Sequence, residues 1–163
     1  MRVICTSLGL VLAVVACGKG GDGSRSGVDL PDGLAGECGD SAPEILDFTI
    51  TTADLSETQS WIRLVVDVED ADSDLNYYEM RVWFDDAIDN SIDTSTSYYE
   101  IYGTLSEEPC SLPRTTLTMQ MAVSGGLPDD RDVEFGVQVF DDMGHSTNGG
   151  EPEIVVFHTP AAL

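Results

Sequence analysis

Hydrophobic and polar residues alternate along most of the chain beyond residue 40. Successive side chains of a β-strand point to opposite faces of a sheet, so each alternating run predicts a strand with one buried and one wet face. Seven such runs follow one another: Leu46 to Ile50, Ile62 to Val68, Tyr78 to Phe84, Tyr99 to Ile101, Leu117 to Val123, Val133 to Val139 and Ile154 to Phe157. Many of their residues are β-branched or aromatic, which also favours strands.

The segments between the runs are rich in Asp, Gly, Pro and Ser, which are turn-forming residues. No segment has a helical period of comparable strength. Seven short strands in about 120 residues predict an all-β fold, and within that class a two-sheet antiparallel sandwich. We therefore expect a single seven-stranded β-sandwich domain over residues 41–163.

Residues 1–16 form a different kind of segment. Arg2 precedes an apolar stretch that begins at Val3 and runs through small residues to Cys17. The stretch is shorter than the roughly 18 apolar residues of a membrane-spanning helix. The pattern predicts a signal peptide for export.

The residues Val14-Val15-Ala16-Cys17 resemble the lipobox of bacterial lipoproteins. The resemblance implies that the signal is cleaved before Cys17 and that this cysteine is lipidated, which attaches the protein to a membrane. Because Gly18 and not Asp follows, it also implies a cell-envelope location at the outer membrane or the periplasmic face. The alternative is an ordinary secretory signal, or an uncleaved anchor, in which Cys17 has no such role.

The segment 17–40 is rich in Gly and Ser and has almost no residues to bury. Such a composition predicts a flexible tether between the lipidated cysteine and the folded domain. We therefore assign the function of the protein to residues 41–163.

Two cysteines, Cys38 and Cys110, remain once Cys5 leaves with the signal and Cys17 is lipidated. In an exported protein an even number of cysteines favours a disulfide, here between the end of the tether and the domain. The alternative is two free thiols in a reducing compartment. Neither cysteine belongs to the closely spaced pair that a zinc site requires.

The sequences of two strands and the loops that follow them carry a second resemblance. The runs Leu64 to Leu75 and Val133 to Asn148 resemble immunoglobulin-like, fibronectin type III and cadherin-like domains of bacterial surface proteins. The resemblance implies an interaction or structural module, with a protein or a polysaccharide as partner. The chain departs from the pattern in lacking the inward Trp of the third strand and the Tyr of the tyrosine corner.

Acidic residues alternate with other residues in the turn after the second run. Carboxylates at every second position can converge on a hard cation, and calcium takes six to eight oxygen ligands. The loop after the sixth run lies at the same end of such a sandwich. The candidate calcium ligands are Glu69, Asp70, Asp72, Asp74, Asp141 and Asp142. The alternative is that these are solvated turn residues of an acidic protein.

Three aromatic residues alternate with the predicted core residues and are therefore expected to point away from the core: Trp61, Tyr77 and Trp83. Exposed aromatic side chains on a sandwich can stack on sugars, which predicts a carbohydrate-binding module as an alternative function. The other interpretation is that they pack on neighbouring strands, or that Trp83 belongs to the core.

The charge of the chain excludes one class of partner. Seven Lys and Arg stand against 30 Asp and Glu, for a formal net charge of -23. Nucleic-acid binding depends on cationic side chains that neutralise phosphates, so we expect no nucleic-acid partner.

His145 and His158 fit no metal or base motif, and the chain has no nucleophile-elbow or P-loop motif, so we expect no enzymatic activity.

Overall fold

The computed structural model describes residues 38–55, 59–124 and 127–161. This part of the chain contains seven β-strands and one short 3₁₀ turn, Thr147–Gly150. The strands are β1 (Glu44–Leu55), β2 (Gln59–Glu69), β3 (Tyr77–Asp85), β4 (Tyr99–Thr104), β5 (Arg114–Ser124), β6 (Asp132–Phe140) and β7 (Glu153–His158). The predicted all-β fold is confirmed. None of the helical structure described is long and apolar enough to cross a membrane.

The strands form two antiparallel sheets packed as a sandwich. One sheet has three strands in the order β1-β2-β5, and the other has four in the order β4-β3-β6-β7. All ladders are antiparallel. The predicted seven-stranded antiparallel sandwich is therefore confirmed, and its edge strands are β1 and β5 in one sheet and β4 and β7 in the other.

The core lies between the sheets and consists of the inward half of each alternating run. Its largest fully buried side chains include Phe135, Ile62, Leu64, Met80, Leu117 and Met119. These side chains come from both sheets, so the alternation read from the sequence identifies the faces that pack together. Apolar burial of this kind is the dominant favourable contribution to folding.

The first strand departs from the simple alternation. Its register against β2 shifts between Ile45 and Asp47, which is the signature of a β-bulge. Ile45 packs against the core, whereas Leu46, predicted on the inner face, is 42% exposed. The expectation for Leu46 was wrong because a bulge changes the face to which the residue points without changing the sequence period.

The predicted disulfide between Cys38 and Cys110 is confirmed. It joins the beginning of the described chain to the β4–β5 loop, residues 105–113. The same loop contacts the β2–β3 loop, where the N–H of Leu112 donates to the carbonyl of Ser73 at 3.0 Å and that of Asp70 donates to the carbonyl of Pro113 at 2.8 Å. One end of the sandwich thus gathers these two loops and the covalent link to Cys38.

Candidate metal centre

Asp70 is the first residue after β2 and closes a tight turn. Its Oδ1 accepts hydrogen bonds from the N–H groups of Asp72 at 2.7 Å and Ser73 at 3.1 Å. This is the usual role of aspartate in a turn. The second oxygen, Oδ2, is buried and has no hydrogen-bond partner, so only half of this carboxylate is satisfied by the turn itself.

Asp74 lies in the same loop and is completely buried, with 0% of its surface exposed. Its backbone forms an isolated bridge to Leu112 of the β4–β5 loop, which fixes its position. Ser73 before it has a positive φ of 66° and turns the chain between Asp70 and Asp74. Neither carboxylate oxygen of Asp74 has a hydrogen-bond partner.

Asp141 and Asp142 come directly after β6, at the same end of the sandwich. The N–H of His145 donates to Asp141 Oδ1 at 2.8 Å, and His145 Nδ1 lies 3.1 Å from Asp141 Oδ2. The N–H of Asp142 is 3.5 Å from the carbonyl oxygen of Asp74, which joins the two loops. Oδ1 of Asp142 is buried without a partner.

These loops bring three buried carboxylates together. Asp70, Asp74 and Asp141 each offer one oxygen, and the three oxygens lie within 4.8 Å of one another. Two oxygens that bind one calcium ion at 2.3 to 2.6 Å are separated by at most about 5 Å. The arrangement therefore fits a single calcium ion, and Asp142 lies near enough for its charge to interact with those of Asp141 and Asp70.

Burial and mutual repulsion make the ionised form of this cluster costly. Burial, followed by the charges of Asp141, Asp70 and Asp142, raises the pKa of Asp74 from 3.8 to about 7. Burial also raises the pKa of Asp141, although its hydrogen bonds from His145 act in the opposite direction. The pKa of Asp142 is raised by burial and then by the charge of Asp141. A cation among these groups would favour their ionised forms.

No Arg forms an ion pair with Asp70, Asp74 or Asp142 in the part of the chain that the structure describes. An unpaired buried charge costs several kcal/mol, so the cluster needs a proton or a bound cation. Its ligands are all oxygens, which suit calcium or magnesium better than zinc or copper. Calcium fits better than magnesium because it accepts several carboxylates in an irregular geometry.

Two of the six predicted ligands point elsewhere. Glu69, the last residue of β2, is exposed. Oδ2 of Asp72 accepts a hydrogen bond from the N–H of Ser41. The Asp72 carboxyl also packs on Gly39, where an added Cβ would lie 2.3 Å from it. Asp72 therefore fixes the segment that follows Cys38, and the structure gathers only the other four acids.

The three predicted sugar-stacking residues do not share a surface. Trp61 lies on the outer face of the three-stranded sheet, because its neighbour Ile62 points into the core. Trp83 and Tyr77 lie on the outer face of the four-stranded sheet, on the opposite side of the sandwich. A single aromatic platform of Trp61 and Trp83 is thus excluded by the geometry.

The side chain of Trp83 is also covered. It points away from the core, as predicted from its phase, yet it is only 2% exposed. The β3–β4 loop, residues 86–98, lies over this face: Ile92 contacts the position of Gly136, which pairs with Trp83, and the ring of Tyr98 lies 5.3 Å from that of Trp83. Trp83 is therefore neither a core residue nor a free stacking surface.

Two residues of this end of the sandwich were not identified from the sequence. His145 orients Asp141, and the spacing of four residues between them was the available signal. Asn76 is buried, and its Oδ1 has no partner while its Nδ2 donates to the carbonyl of Glu108. Nothing in the local sequence distinguishes Asn76 from an ordinary turn residue.

The predicted lipidation site, Cys17, lies outside the described residues.

Comparisons with known proteins add little to this geometry. No protein-family model matches the chain, and no curated protein is significantly similar to it. Among solved structures, a protein from Archaeoglobus fulgidus matches with 13% identity and a TM-score of 0.34, over 74% of this chain and 100% of that one. The likeness is too weak to inform either the family or the function.

Proposed function

We propose that the protein is a lipid-anchored component of the cell envelope. In this proposal it presents an immunoglobulin-like interaction or structural module that is stabilised by calcium. The observation that carries the calcium part is Asp74, which is fully buried between Asp70 and Asp141 with both carboxylate oxygens unpartnered.

The anchoring part rests on the sequence. The segment 1–17 has the layout of a lipoprotein signal, and residues 17–40 have the composition of a tether. The disulfide agrees with export, because such bonds persist in oxidising compartments. The two-sheet antiparallel sandwich is a common architecture of interaction modules at cell surfaces.

The placement of the cluster explains what calcium would do for such a module. Asp70 and Asp74 belong to the β2–β3 loop, and Asp141 belongs to the β6–β7 loop, residues 141–152. An ion shared by the two loops would tie the three-stranded sheet to the four-stranded one at this end. Because the ion binds only the folded chain, it adds to the free energy of unfolding according to its concentration.

Calcium titration of thermal unfolding tests this proposal. We expect millimolar calcium to raise the unfolding midpoint of the wild-type protein, and Asp74→Asn to abolish that rise. In the absence of calcium, Asp74→Asn should unfold at or above the wild-type midpoint, because it removes an unpaired buried charge. A loss of calcium response in this variant is then separable from a loss of folding.

The matched control is Glu69→Gln. It removes an acid of the same segment that is exposed and lies outside the cluster, so the calcium response should stay as in the wild type. A wild-type midpoint that is unchanged by calcium, or an equal loss of response in both variants, would refute a calcium site at Asp74.

A further inference from the structure

One edge of the three-stranded sheet differs from every other sheet edge in the described part of the molecule. β5 pairs with β2 over its whole length, from Arg114 to Ser124, without a register shift. Its other side forms no ladder with any described strand. An unpaired strand edge presents N–H and C=O groups that can pair with another chain.

The other three edge strands carry features that discourage such pairing. β1 has two register shifts and contains Glu44, Asp47 and Asp54. β4 and β7 have only six residues each, and each contains a glutamate. Short length, bulges and charges are the usual means by which proteins protect sheet edges.

β5 is neither short nor bulged, and Arg114 at its first position is its one charged residue. The strand is 11 residues long and contains neither proline nor an acid, although each of the other six described strands contains at least one Asp or Glu. Its outward residues Thr116 and Thr118 are exposed. In a chain with 30 acids and a net charge of -23, an acid-free strand at a free edge is a marked exception.

The charges beside this edge are also unusual for the molecule. Two of the four arginines of the described residues lie here: Arg114 begins β5, and Arg63 of β2 pairs with Gln120 of β5. The nearby Asp67 is held by Arg114 at 3.6 Å and by the hydroxyl of Thr116 at 2.5 Å. β5 itself is therefore an acid-free stripe, and beside it Arg63 and Arg114 are offset by Asp67 and by the exposed Glu69 of β2, which pairs with Arg114.

We propose that β5 is the pairing surface for a second copy of this chain, with the two β5 strands antiparallel about a two-fold axis. Such an arrangement is closed, because each copy uses the same strand and no free β5 edge remains. It would join two three-stranded sheets into one six-stranded sheet. The acidic surfaces elsewhere repel one another, so the acid-free stripe is the place where two copies can approach closely.

Substitution at Thr118 tests this pairing. Thr118 of β5 and Thr49 of β1 both lie beside Val65 of β2, on opposite edges of the same sheet, and both are exposed. Sedimentation equilibrium of the purified full-length protein should show a dimer. Thr118→Asp should raise the dimer dissociation constant by about tenfold or more, because like charges directly opposite each other destabilise a strand pair. Thr118→Asn and Thr49→Asp should leave it unchanged.

Salt and cross-linking give two further measurements. Added sodium chloride should strengthen the wild-type dimer, because it screens the repulsion between two acidic molecules. A bismaleimide should cross-link two copies through a single cysteine at residue 116, 118 or 120, and not through Thr49→Cys. These measurements keep the proposal testable should Thr118→Asp lower stability.

A wild-type protein that stays monomeric at every concentration and salt level would refute the proposal, even if a strand of another protein binds β5. Equal weakening by Thr118→Asp and Thr49→Asp would also refute it. A dimer that none of these substitutions affects would place the contact elsewhere on the chain.

Discussion

Individual aspartates of one short loop have different roles. The pattern of acids at residues 70, 72 and 74 suggested three equivalent ligands, but the structure turns Asp72 toward Ser41 and leaves Asp70 and Asp74 facing Asp141. The left-handed backbone at Ser73 contributes to this separation. The spacing of the acids could therefore identify the loop that carries the cluster, but not which of its carboxylates converge. That depends on the turns of the backbone.

A partly buried acid on β4, Glu100, shows how charge and burial together change the pKa of one residue. Arg81 forms ion pairs with Glu79 and, at 3.9 Å, with Glu100, so one cation serves two carboxylates. Burial, followed by the proximity of Glu79, raises the pKa of Glu100 from 4.5 to about 7, against the opposing effect of Arg81. Since the folded pKa exceeds the unfolded one, the folded state loses stability as the pH rises from about 4.5 to about 7.

Glu100→Gln should therefore stabilise the protein at pH 8, on the order of 1 kcal/mol once solvent screening is allowed for, and have little effect at pH 4. Urea unfolding of both proteins at the two pH values measures the difference. Glu107→Gln, an exposed acid of the β4–β5 loop, serves as the control and should show the wild-type pH dependence. An equal effect of Glu100→Gln at both pH values would contradict the assignment.

At the scale of secondary-structure elements, the strands followed from the sequence more fully than the loops did. The alternation of hydrophobic and polar residues identified all seven described strands, and it correctly placed Trp83 on the outer face of its sheet. The alternation could not reveal that residues 86–98 cover the outer face of the four-stranded sheet, because that loop is mostly polar. Ile92 fits there because position 136 is glycine: an added Cβ would lie 2.8 Å from Ile92 and 3.1 Å from Pro152.

Loss of the Ile92 anchor should uncover Trp83. In a Trp61→Phe background, where Trp83 is the remaining tryptophan, Ile92→Ala should increase acrylamide quenching and shift the emission to longer wavelength. Ile88→Ala, in the same loop at a residue that is 49% exposed, should change neither. Unaltered quenching in Ile92→Ala would show that the loop does not depend on this contact to cover the indole.

At the scale of the whole molecule, the structure confirms the predicted fold class and the predicted disulfide. The fold class and the pairing of Cys38 with Cys110 were both predictable, because strand period and cysteine arithmetic are local signals. The cluster of Asp70, Asp74 and Asp141 was only partly predictable, since it depends on two loops that are distant in the sequence. No sequence pattern signalled the free β5 edge, which emerges only from the order of the strands.

The disulfide spans a sequence separation of 72 residues and should contribute substantially to stability. On the chain-entropy model, closing a loop of this length contributes about 4 kcal/mol. A variant with both Cys38→Ser and Cys110→Ser should lose about that much in chemical denaturation. A reductant should have the same effect on the wild type and none on the variant. A loss below about 1 kcal/mol would contradict the entropic account.

The position of Cys38 also determines how the domain responds to mechanical load. A pulling force that enters from the N-terminal side reaches Cys38 before it reaches β1, and the covalent bond carries it to Cys110 in the β4–β5 loop. The hydrogen-bonded ladder between β1 and β2 is thereby relieved of that load. In the oxidised protein the first strand is shielded from tension, whereas in the reduced protein β1 would be the first element to be pulled away.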